Sequence, residues 1–375
     1  MENTNNNIDE TKNENKIKNM IISFGFVVLV FTVFITNLVI RDKTVSEYER
    51  RALQNFPKIT LETVSSGDAM NKFEKYTTDQ FAFRDTFRSI KALFNLNVYR
   101  QKDNNKLFEK DGSIYKMDYP LNNSNLNKSL DKIVNVYNKY IKGKNMTTYY
   151  AIIPDKNYYL ESDDHLKIDY NKLKATAKNK LNGLTYIDIW NDLQLNDYYR
   201  TDLHWKQENL SNVVNTLEKS MKLKSTKHIT YNIENRGDFY GTYYGQLATN
   251  VTPDTLYTLT NDTIYNATVY NYESKKTGPV YTNETSQDRY DTFLYGATPL
   301  IRIDNPNAKE NKELLLFRDS FSSSLAPLLI ENYSSITLID LRYISSNLLD
   351  QYIDFNNQDV LFIYSTLILN QNVLK

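Results

Sequence analysis

An uncharged apolar run of 21 residues, Met20 to Ile40, constrains this chain more than any other feature. As an α-helix, a run of that length crosses the hydrocarbon core of a bilayer, which is roughly 30 Å thick. The alternative is a signal peptide that is removed after export. Against that alternative, the run is long and no small-x-small cleavage pattern precedes Arg41. We therefore predict an uncleaved, single-pass membrane anchor.

The charges beside this run give little information about its orientation. Lys16 and Lys18 lie shortly before it, and Arg41 and Lys43 follow it, so the positive-inside rule gives no clear preference. Residues 1–19 are polar and Asn-rich, which predicts a disordered tail. Because nothing later is hydrophobic enough to span, we place this tail in the cytoplasm and the rest of the chain outside the cell.

Charge balance and the absence of cysteine exclude several classes of function. Forty-five basic and forty-five acidic residues leave no net charge, which argues against a nucleic-acid partner. With no cysteine, the chain has no disulfide, no thiol nucleophile and no thiolate metal ligand. Asp163, Asp164 and His165 cluster, but no second histidine stands at ligand spacing, and His228 has the setting of a surface residue. We therefore predict no metal and no cofactor.

After a polar juxtamembrane segment, residues 41–70, the remaining residues 71–375 predict one α/β domain. Short apolar runs alternate with amphipathic helical stretches, which is typical of a parallel sheet with helices on its faces. The predicted strands are 147–154, 184–189, 313–317, 336–340 and 359–364, and the predicted helices are 124–142, 170–181, 207–223 and 322–332.

Three stretches depart from this rhythm. Apolar spacing between residues 71 and 100 predicts one or two amphipathic helices. Residues 107–117 predict a hairpin with Asp111-Gly112 at its turn. Residues 229–302 alternate and are rich in tyrosine and threonine, so we expect antiparallel hairpins inserted between the halves of the α/β core.

The pentapeptide Thr201–Trp205, TDLHW, contains one of three histidines in the chain. In an extended segment Asp202 and His204 project to the same side, where the carboxylate can orient the imidazole and stabilise its protonated form. Leu203 and Trp205 would then point into the core. The alternative is a structural histidine at the end of a strand.

The segment LLLFRDSFSSSLAPLL, residues 314–329, places Ser320 between a buried strand and a helix. The carboxyl ends of parallel strands are where α/β folds place their sites. Unpaired N–H groups at the start of the helix could stabilise an oxyanion, although a simple helix cap is the alternative. Together with Asp202 and His204, Ser320 predicts a catalytic triad.

These two motifs together resemble the DHHW family, and are similar to the alginate O-acetylation proteins, which share an SGNH-hydrolase-like, Rossmann-like fold. Further matching pieces are VSEYERRALQNFP (45–57), FEKYTTDQFAFRDTF (73–87), IIPDK (152–156) and DRYDTFLYG (288–296). The resemblance implies that Ser320 is the nucleophile, His204 the general base and acid, and Asp202 the orienting carboxylate.

The resemblance also implies one substrate-binding residue, beside which we predict a second, and it shows three departures. Arg342 matches a basic position that lines the site in similar proteins, with a salt bridge as the alternative, and Trp205 is the second candidate. Leu203 replaces the first histidine of the DHHW name. Arg318 stands where many SGNH hydrolases have glycine, and residues 294–298, LYGAT, lack the Gly-Asn pair of relatives, so the oxyanion-hole donors stay open.

The function that the resemblance implies is an extracellular O-acetyltransferase acting on a secreted polysaccharide. A polytopic membrane-bound O-acyltransferase would be the partner that supplies the acetyl group. An acetyl-esterase with the same triad, and a non-catalytic glycan-binding or assembly protein, are the alternatives. The Asn-, Lys-, Tyr- and Ile-rich composition indicates a Gram-positive bacterium.

Overall fold

The computed structural model describes residues 2–46, 48–161, 165–282 and 288–375, with side chains from residue 15 onward. The chain forms two compact units, residues 1–91 and 92–375.

The helices and strands of the described residues follow the chain in this order. The helices are α1 Glu2–Val39, α2 Leu61–Ser65, α3 Asp68–Asp79, α4 Arg84–Leu93, α5 Asn123–Val136, α6 Tyr170–Lys180, α7 Ser211–Ser220, α8 Thr242–Leu247, α9 Asp262–Asn266, α10 Ser322–Leu329 and α11 Thr366–Leu369. The strands are β1 Val45–Ser46, β2 Arg51–Ala52, β3 Leu107–Lys110, β4 Ser113–Lys116, β5 Thr148–Ile153, β6 Thr185–Ile187, β7 Asn232–Phe239, β8 Asp254–Thr260, β9 Thr268–Asn271, β10 Lys276–Pro279, β11 Leu300–Asp304, β12 Glu313–Arg318, β13 Ser335–Ile339 and β14 Asp359–Ser365.

The first unit contains the apolar helix α1. Its residues Asn15–Val39 are long and apolar enough to cross a membrane, and none of the apolar window is buried. The helix begins at Glu2, so it includes the stretch that the sequence predicts to be a disordered tail. Once an apolar segment has nucleated a helix, each added residue gains a backbone hydrogen bond at little further entropy cost.

The first unit also extends past the predicted boundary at residue 70. Helix α3 is tied back to the juxtamembrane segment by Arg51, whose guanidinium pairs with Asp79 at 2.5 Å. Helix α4 is tied back in the same way, because Arg84 pairs with Glu49 at 2.6 Å. These two ion pairs place helices α3 and α4 with the segment that precedes them.

The second unit is built on an eight-stranded sheet with the order β10-β9-β11-β13-β12-β14-β5-β6. The strands from β13 to β6 are all parallel to one another. This arrangement confirms the predicted α/β fold with a mostly parallel sheet. Strands β5, β12, β13 and β14 are buried along nearly their whole length, which explains why they read as continuous apolar runs.

The predicted antiparallel insertion of residues 229–302 is present, and it divides into two parts. Strands β7 and β8 form their own two-stranded sheet. Strands β9, β10 and β11 instead extend the central sheet, with β11 antiparallel to β13. Pairing covers the backbone groups that the edge of β13 would otherwise expose. The predicted hairpin at residues 107–117 is present as β3 and β4.

Candidate active site

Ser320 lies, half-buried, in the turn between β12 and α10. The buried Asp319 holds this turn, because its carboxylate accepts hydrogen bonds from Phe321 N–H at 3.1 Å and from Ser365 N–H at 2.7 Å. Ser365 ends β14, the strand beside β12. The turn is therefore fastened to the carboxyl edge of two parallel strands.

A chain of hydrogen bonds joins the three residues predicted to form the triad. His204 Nε2 lies 2.8 Å from Ser320 Oγ, and His204 Nδ1 lies 2.5 Å from Asp202 Oδ1. Asp202 and His204 are both buried. These distances are those at which an imidazole exchanges a proton with a hydroxyl while a carboxylate holds its other nitrogen.

Asp202 and His204 meet through a turn, which corrects the extended geometry that the sequence predicts. Besides the imidazole contact, Asp202 Oδ1 accepts a hydrogen bond from the backbone N–H of His204 at 2.9 Å. A short aspartate side chain readily bonds the backbone two residues on, and this bends the chain. Residues 201–204 accordingly form bends and no strand.

A close approach of the backbone at Gly241 supports Asp202 from outside the motif. Asp202 Oδ2 accepts a hydrogen bond from Thr242 N–H at 2.6 Å, and Thr201 Oγ1 accepts one from Gly241 N–H at 3.0 Å. A Cβ at position 241 would lie 2.3 Å from Thr201 O and 2.4 Å from Asp202 Cβ. Only glycine fits there.

Lys156 is a second support that the sequence analysis missed. Its buried ammonium group donates hydrogen bonds to the carbonyl oxygens of Tyr199, Arg200 and Asp202 at 2.9, 3.1 and 2.8 Å. The lysine follows β5 in the quoted segment IIPDK, so it starts from the edge of the sheet where Ser320 lies. Burial lowers the pKa of Lys156 to about 7, although the carboxylates of Asp202 and Asp254 oppose this.

This pKa predicts how stability depends on pH. Between about 7 and the usual lysine value of 10.5 the folded state binds fewer protons at Lys156 than the unfolded state does, so its contribution to the unfolding free energy increases with pH. We therefore expect the unfolding free energy of the wild type minus that of Lys156→Met to increase with pH over this range, by at most ~1.4 kcal/mol per pH unit. Urea unfolding at several pH values measures it, and parallel curves for the two proteins would contradict it.

Tyr290 packs flat against the His204 imidazole. The ring centroids lie 3.9 Å apart and the planes differ by 7°. The tyrosine hydroxyl lies 3.0 Å from Ser324 Oγ in α10, so the ring that covers the histidine is itself anchored. No local pattern in the sequence indicates this contact, because the two aromatic residues are far apart in the chain.

Loss of the Tyr290 ring should loosen the imidazole. For Tyr290→Leu we expect kcat to fall about three- to tenfold, the rate equivalent of ~0.5–1.5 kcal/mol for an aromatic pair, with KM little changed. Tyr290→Phe keeps the stacked ring and loses only the hydroxyl contact, so it should retain most of the activity. Equal losses in the two variants, measured by steady-state kinetics, would show that stacking is not the cause.

Trp205 lies in the core, which corrects its prediction as a substrate-binding residue. Its side chain is fully buried, and its indole N–H donates to Phe321 O at 2.9 Å and to Ser324 Oγ at 3.0 Å. An indole without exposed surface cannot contact a substrate that arrives from solvent. Trp205 instead fixes the segment of His204 to the start of α10.

Arg342 lies beside the carboxyl end of β13, in the salt bridge that the sequence analysis left as the alternative. Its guanidinium donates to both oxygens of the buried Asp340, the shortest contact being 2.6 Å, and 16% of its side chain is exposed. Contact between this exposed part and a substrate stays a prediction.

Arg318, which replaces glycine in the nucleophile turn, points inward. Its side chain is fully buried and donates to Ser323 Oγ at 3.0 Å, with Asp340 at 4.0 Å. Burial lowers its pKa, whereas Asp340 opposes the shift. The side chain thus leaves the solvent side of the turn unoccupied.

The backbone donors around Ser320 are mostly used within the protein. Phe321 N–H donates to the Asp319 carboxylate, Ser322 N–H to Asp319 O, and Ser323 N–H to Ser320 O. Among the residues that the structure describes, none accepts a hydrogen bond from Ser320 N–H. Ser320 N–H is therefore a candidate donor to an oxyanion at this serine.

Asp163 and Asp164 lie outside the described residues, and the described part of the chain contains no group of three metal-ligating side chains. His228 is exposed, as expected of a surface residue.

The mostly parallel sheet and its flanking helices define a protein of the α/β class, and solved structures share this fold. A DHHW family protein from Eubacterium siraeum DSM 15702 is similar with a TM-score of 0.59 and 21% identity, over 71% of this chain and 92% of that one. PatB1 from Bacillus cereus is similar with a TM-score of 0.55 and 21% identity, over 72% and 98% of the two chains. The resemblance to the DHHW family seen in the sequence therefore extends to the fold.

A third solved structure is more distant from this chain. The O-acetyltransferase domain of Pseudomonas putida AlgJ has a TM-score of 0.43 and 14% identity, a likeness too remote to carry an argument. No family model matches the sequence, and no curated protein matches it.

Proposed function

We propose that this chain is a membrane-anchored O-acetyltransferase that modifies a secreted polysaccharide through an acyl-serine intermediate. The observation that carries the proposal is the unbroken chain of hydrogen bonds from Asp202 through His204 to Ser320, with contacts of 2.5 and 2.8 Å. Such a series of hydrogen bonds activates a serine hydroxyl to attack a carbonyl carbon.

In the first step Ser320 Oγ attacks the carbonyl carbon of an acetyl donor. His204 Nε2 takes the hydroxyl proton, and Asp202 stabilises the imidazolium that forms. The negative charge that develops on the carbonyl oxygen is met by Ser320 N–H, a backbone donor for which the described residues offer no acceptor. The donor's leaving group then departs with the proton from His204, which leaves an acetyl ester on the serine.

In the second step a sugar hydroxyl takes the place of the leaving group. His204 removes its proton, the sugar oxygen attacks the acetyl carbonyl, and the proton returns to Ser320 Oγ when the ester bond to the serine breaks. The products are an acetylated sugar and free enzyme. Neither step needs a metal or an organic cofactor.

The proposed location of the second unit outside the membrane restricts the source of the acetyl group. Helix α1 is apolar enough to anchor the chain, and we place the second unit outside the cell membrane of a Gram-positive bacterium. Acetyl-CoA is cytoplasmic, so the acetyl group must cross the membrane. A polytopic membrane-bound O-acyltransferase is the partner that would deliver it.

Two other functions use the same features. An acetyl-esterase has the same triad and differs only in that water reaches the acyl-serine. A glycan-binding or assembly protein would keep the fold with an idle triad.

Product analysis with the full chain in detergent separates these three functions. The protein is incubated with the acetyl ester of a chromogenic phenol, with and without oligosaccharide acceptors. Phenol release together with acetylated oligosaccharide, seen by mass spectrometry, is the result that we expect. Phenol and acetate alone would indicate the esterase. No turnover of the ester would indicate the non-catalytic glycan-binding or assembly protein.

Covalent labelling gives an independent test of the serine. PatB1 has been solved with a sulfonyl adduct. We expect a sulfonyl fluoride to modify Ser320 in the present protein, with one mole of label in the peptide that contains residues 319–330. Labelling elsewhere, or none, would count against an activated Ser320.

A further inference from the structure

Helix α4 turns an apolar face to solvent. Phe87 and Ile90 lie three residues apart on α4 and share one face, and Phe83 lies in the turn that directly precedes the helix; we call these three residues the α4 stripe. Their exposed fractions are 64%, 51% and 44%. Scattered exposed apolar residues need no explanation, but a continuous stripe of large ones on one helix does.

The charged face of the same helix is turned inward. Arg84 Nη1 donates to Glu49 Oε2 at 2.6 Å, and Arg88 lies 3.6 Å from Glu49 Oε1. Glu49 stands in the turn of the β1–β2 hairpin, which therefore covers the polar side of α4. In a protein surrounded by water the two faces of such a helix would be reversed.

The α4 stripe begins beside the end of the apolar helix α1. Ala82 N–H donates a hydrogen bond of 2.8 Å to the side-chain oxygen of Asn37, in the last turn of α1. Phe83 follows directly and has a φ of +57°, a conformation that is strained for an aromatic residue. The protein thus holds a large apolar side chain, at some strain, next to the end of its membrane span.

The surroundings of the stripe also suit a lipid surface. Arg41 and Lys43 follow α1, and Lys91 neighbours the stripe on α4; all three are exposed. Lysine and arginine beside an apolar helical face are typical of helices that lie in the headgroup layer of anionic membranes.

We propose that the α4 stripe lies in the interfacial layer of the bilayer, as a second lipid contact beside the span of α1. Helix α4 then runs along the membrane surface with its apolar face in the lipid and its arginine face under the β1–β2 hairpin. The contact is independent of the chemistry at Ser320, and it rests on α1 being retained in the membrane.

Quenching by brominated lipids tests this contact in the full chain. Phe87→Trp places a fluorophore in the stripe, while the two natural tryptophans, Trp190 and Trp205, are buried. The protein is reconstituted in vesicles of phosphatidylcholine and phosphatidylglycerol with or without bromine on the acyl chains. We expect the fluorescence added by the substitution to fall by about half in brominated vesicles.

A matched control is Tyr265→Trp, at an aromatic position that is 84% exposed and outside the first unit. Its added fluorescence should not change with bromination. The intact mass of the reconstituted protein verifies that α1 is present.

Equal fluorescence of Phe87→Trp in the two kinds of vesicle, with α1 retained, would overturn the proposal. Cross-linking through Ile90→Cys, a unique thiol in a chain without cysteine, then identifies the occupant. A protein cross-linked at this position in native membranes, without quenching in vesicles, would show that the stripe binds a protein and not lipid.

Discussion

Replacing Ser320 with alanine is expected to lower turnover of an activated acetyl ester by about 10⁴- to 10⁶-fold. The substitution removes the only protein atom that the proposed reaction bonds to the acetyl group, and His204 Nε2 loses its 2.8 Å partner. The fold should be unaffected, because the half-buried hydroxyl is small and the turn is held by Asp319. Phenol release, followed by absorbance with purified full-length protein, measures the effect.

The matched control is Ser322→Ala, two residues further along. The Ser322 hydroxyl is buried and has no hydrogen-bond partner among the described residues, so its removal should leave activity and melting temperature near those of wild type. If Ser320→Ala retained wild-type turnover, the acyl-serine mechanism would be excluded. If both serine variants lost activity equally, disturbance of the turn would be the explanation.

Gly241→Ala is expected to have the second-largest effect, although residue 241 takes no part in the chemistry. A single added methyl group would lie 2.3 Å from Thr201 O and 2.4 Å from Asp202 Cβ. Both neighbours belong to the short turn that carries the carboxylate, so Asp202 must move. We expect kcat to fall by about 10²- to 10⁴-fold through misalignment of His204, and stability by ~1–3 kcal/mol through overpacking.

Gly183→Ala controls for the general effect of adding a methyl group at a glycine. Its Cβ would meet only the edge of the Tyr137 ring, at 3.3 Å, away from the residues of the site. Activity per folded molecule should stay at the wild-type level there, with folding checked by thermal unfolding. Wild-type kcat in Gly241→Ala would mean that the turn can shift without moving Asp202, and that the close approach has no catalytic role.

Much of the architecture was predictable because it depends on neighbours in the sequence. The buried strands β5, β12, β13 and β14 read as short apolar runs, and the helices between them as amphipathic stretches. The sequence did not indicate which strands the predicted antiparallel segment would pair with, because that depends on contacts over long distances. Strands β9 to β11 alternate like the separate β7–β8 hairpin, yet they add to the edge of the central sheet.

The residues of the site likewise fall into a group that the sequence predicts and a group that it does not. Asp202, His204 and Ser320 were selected from motifs, and the resemblance to the DHHW family supplied their roles. Lys156 and Tyr290 lie in segments that match the family, and Gly241 does not, but no local pattern indicates what any of the three does, because each acts on a residue that is distant in the chain. Trp205 was misread for a related reason. The motif places it beside the histidine, and only the packing against α10 puts its indole in the core.

The sequence by itself determined the apolar span, the α/β rhythm and a serine at the junction of a strand and a helix, since periodicity and turn chemistry are properties of adjacent residues. The tertiary structure alone decided that His204 reaches Ser320 across 116 positions, and that Tyr290 covers the imidazole. Such contacts depend on the order of strands in the sheet and on side-chain packing, which no short segment encodes.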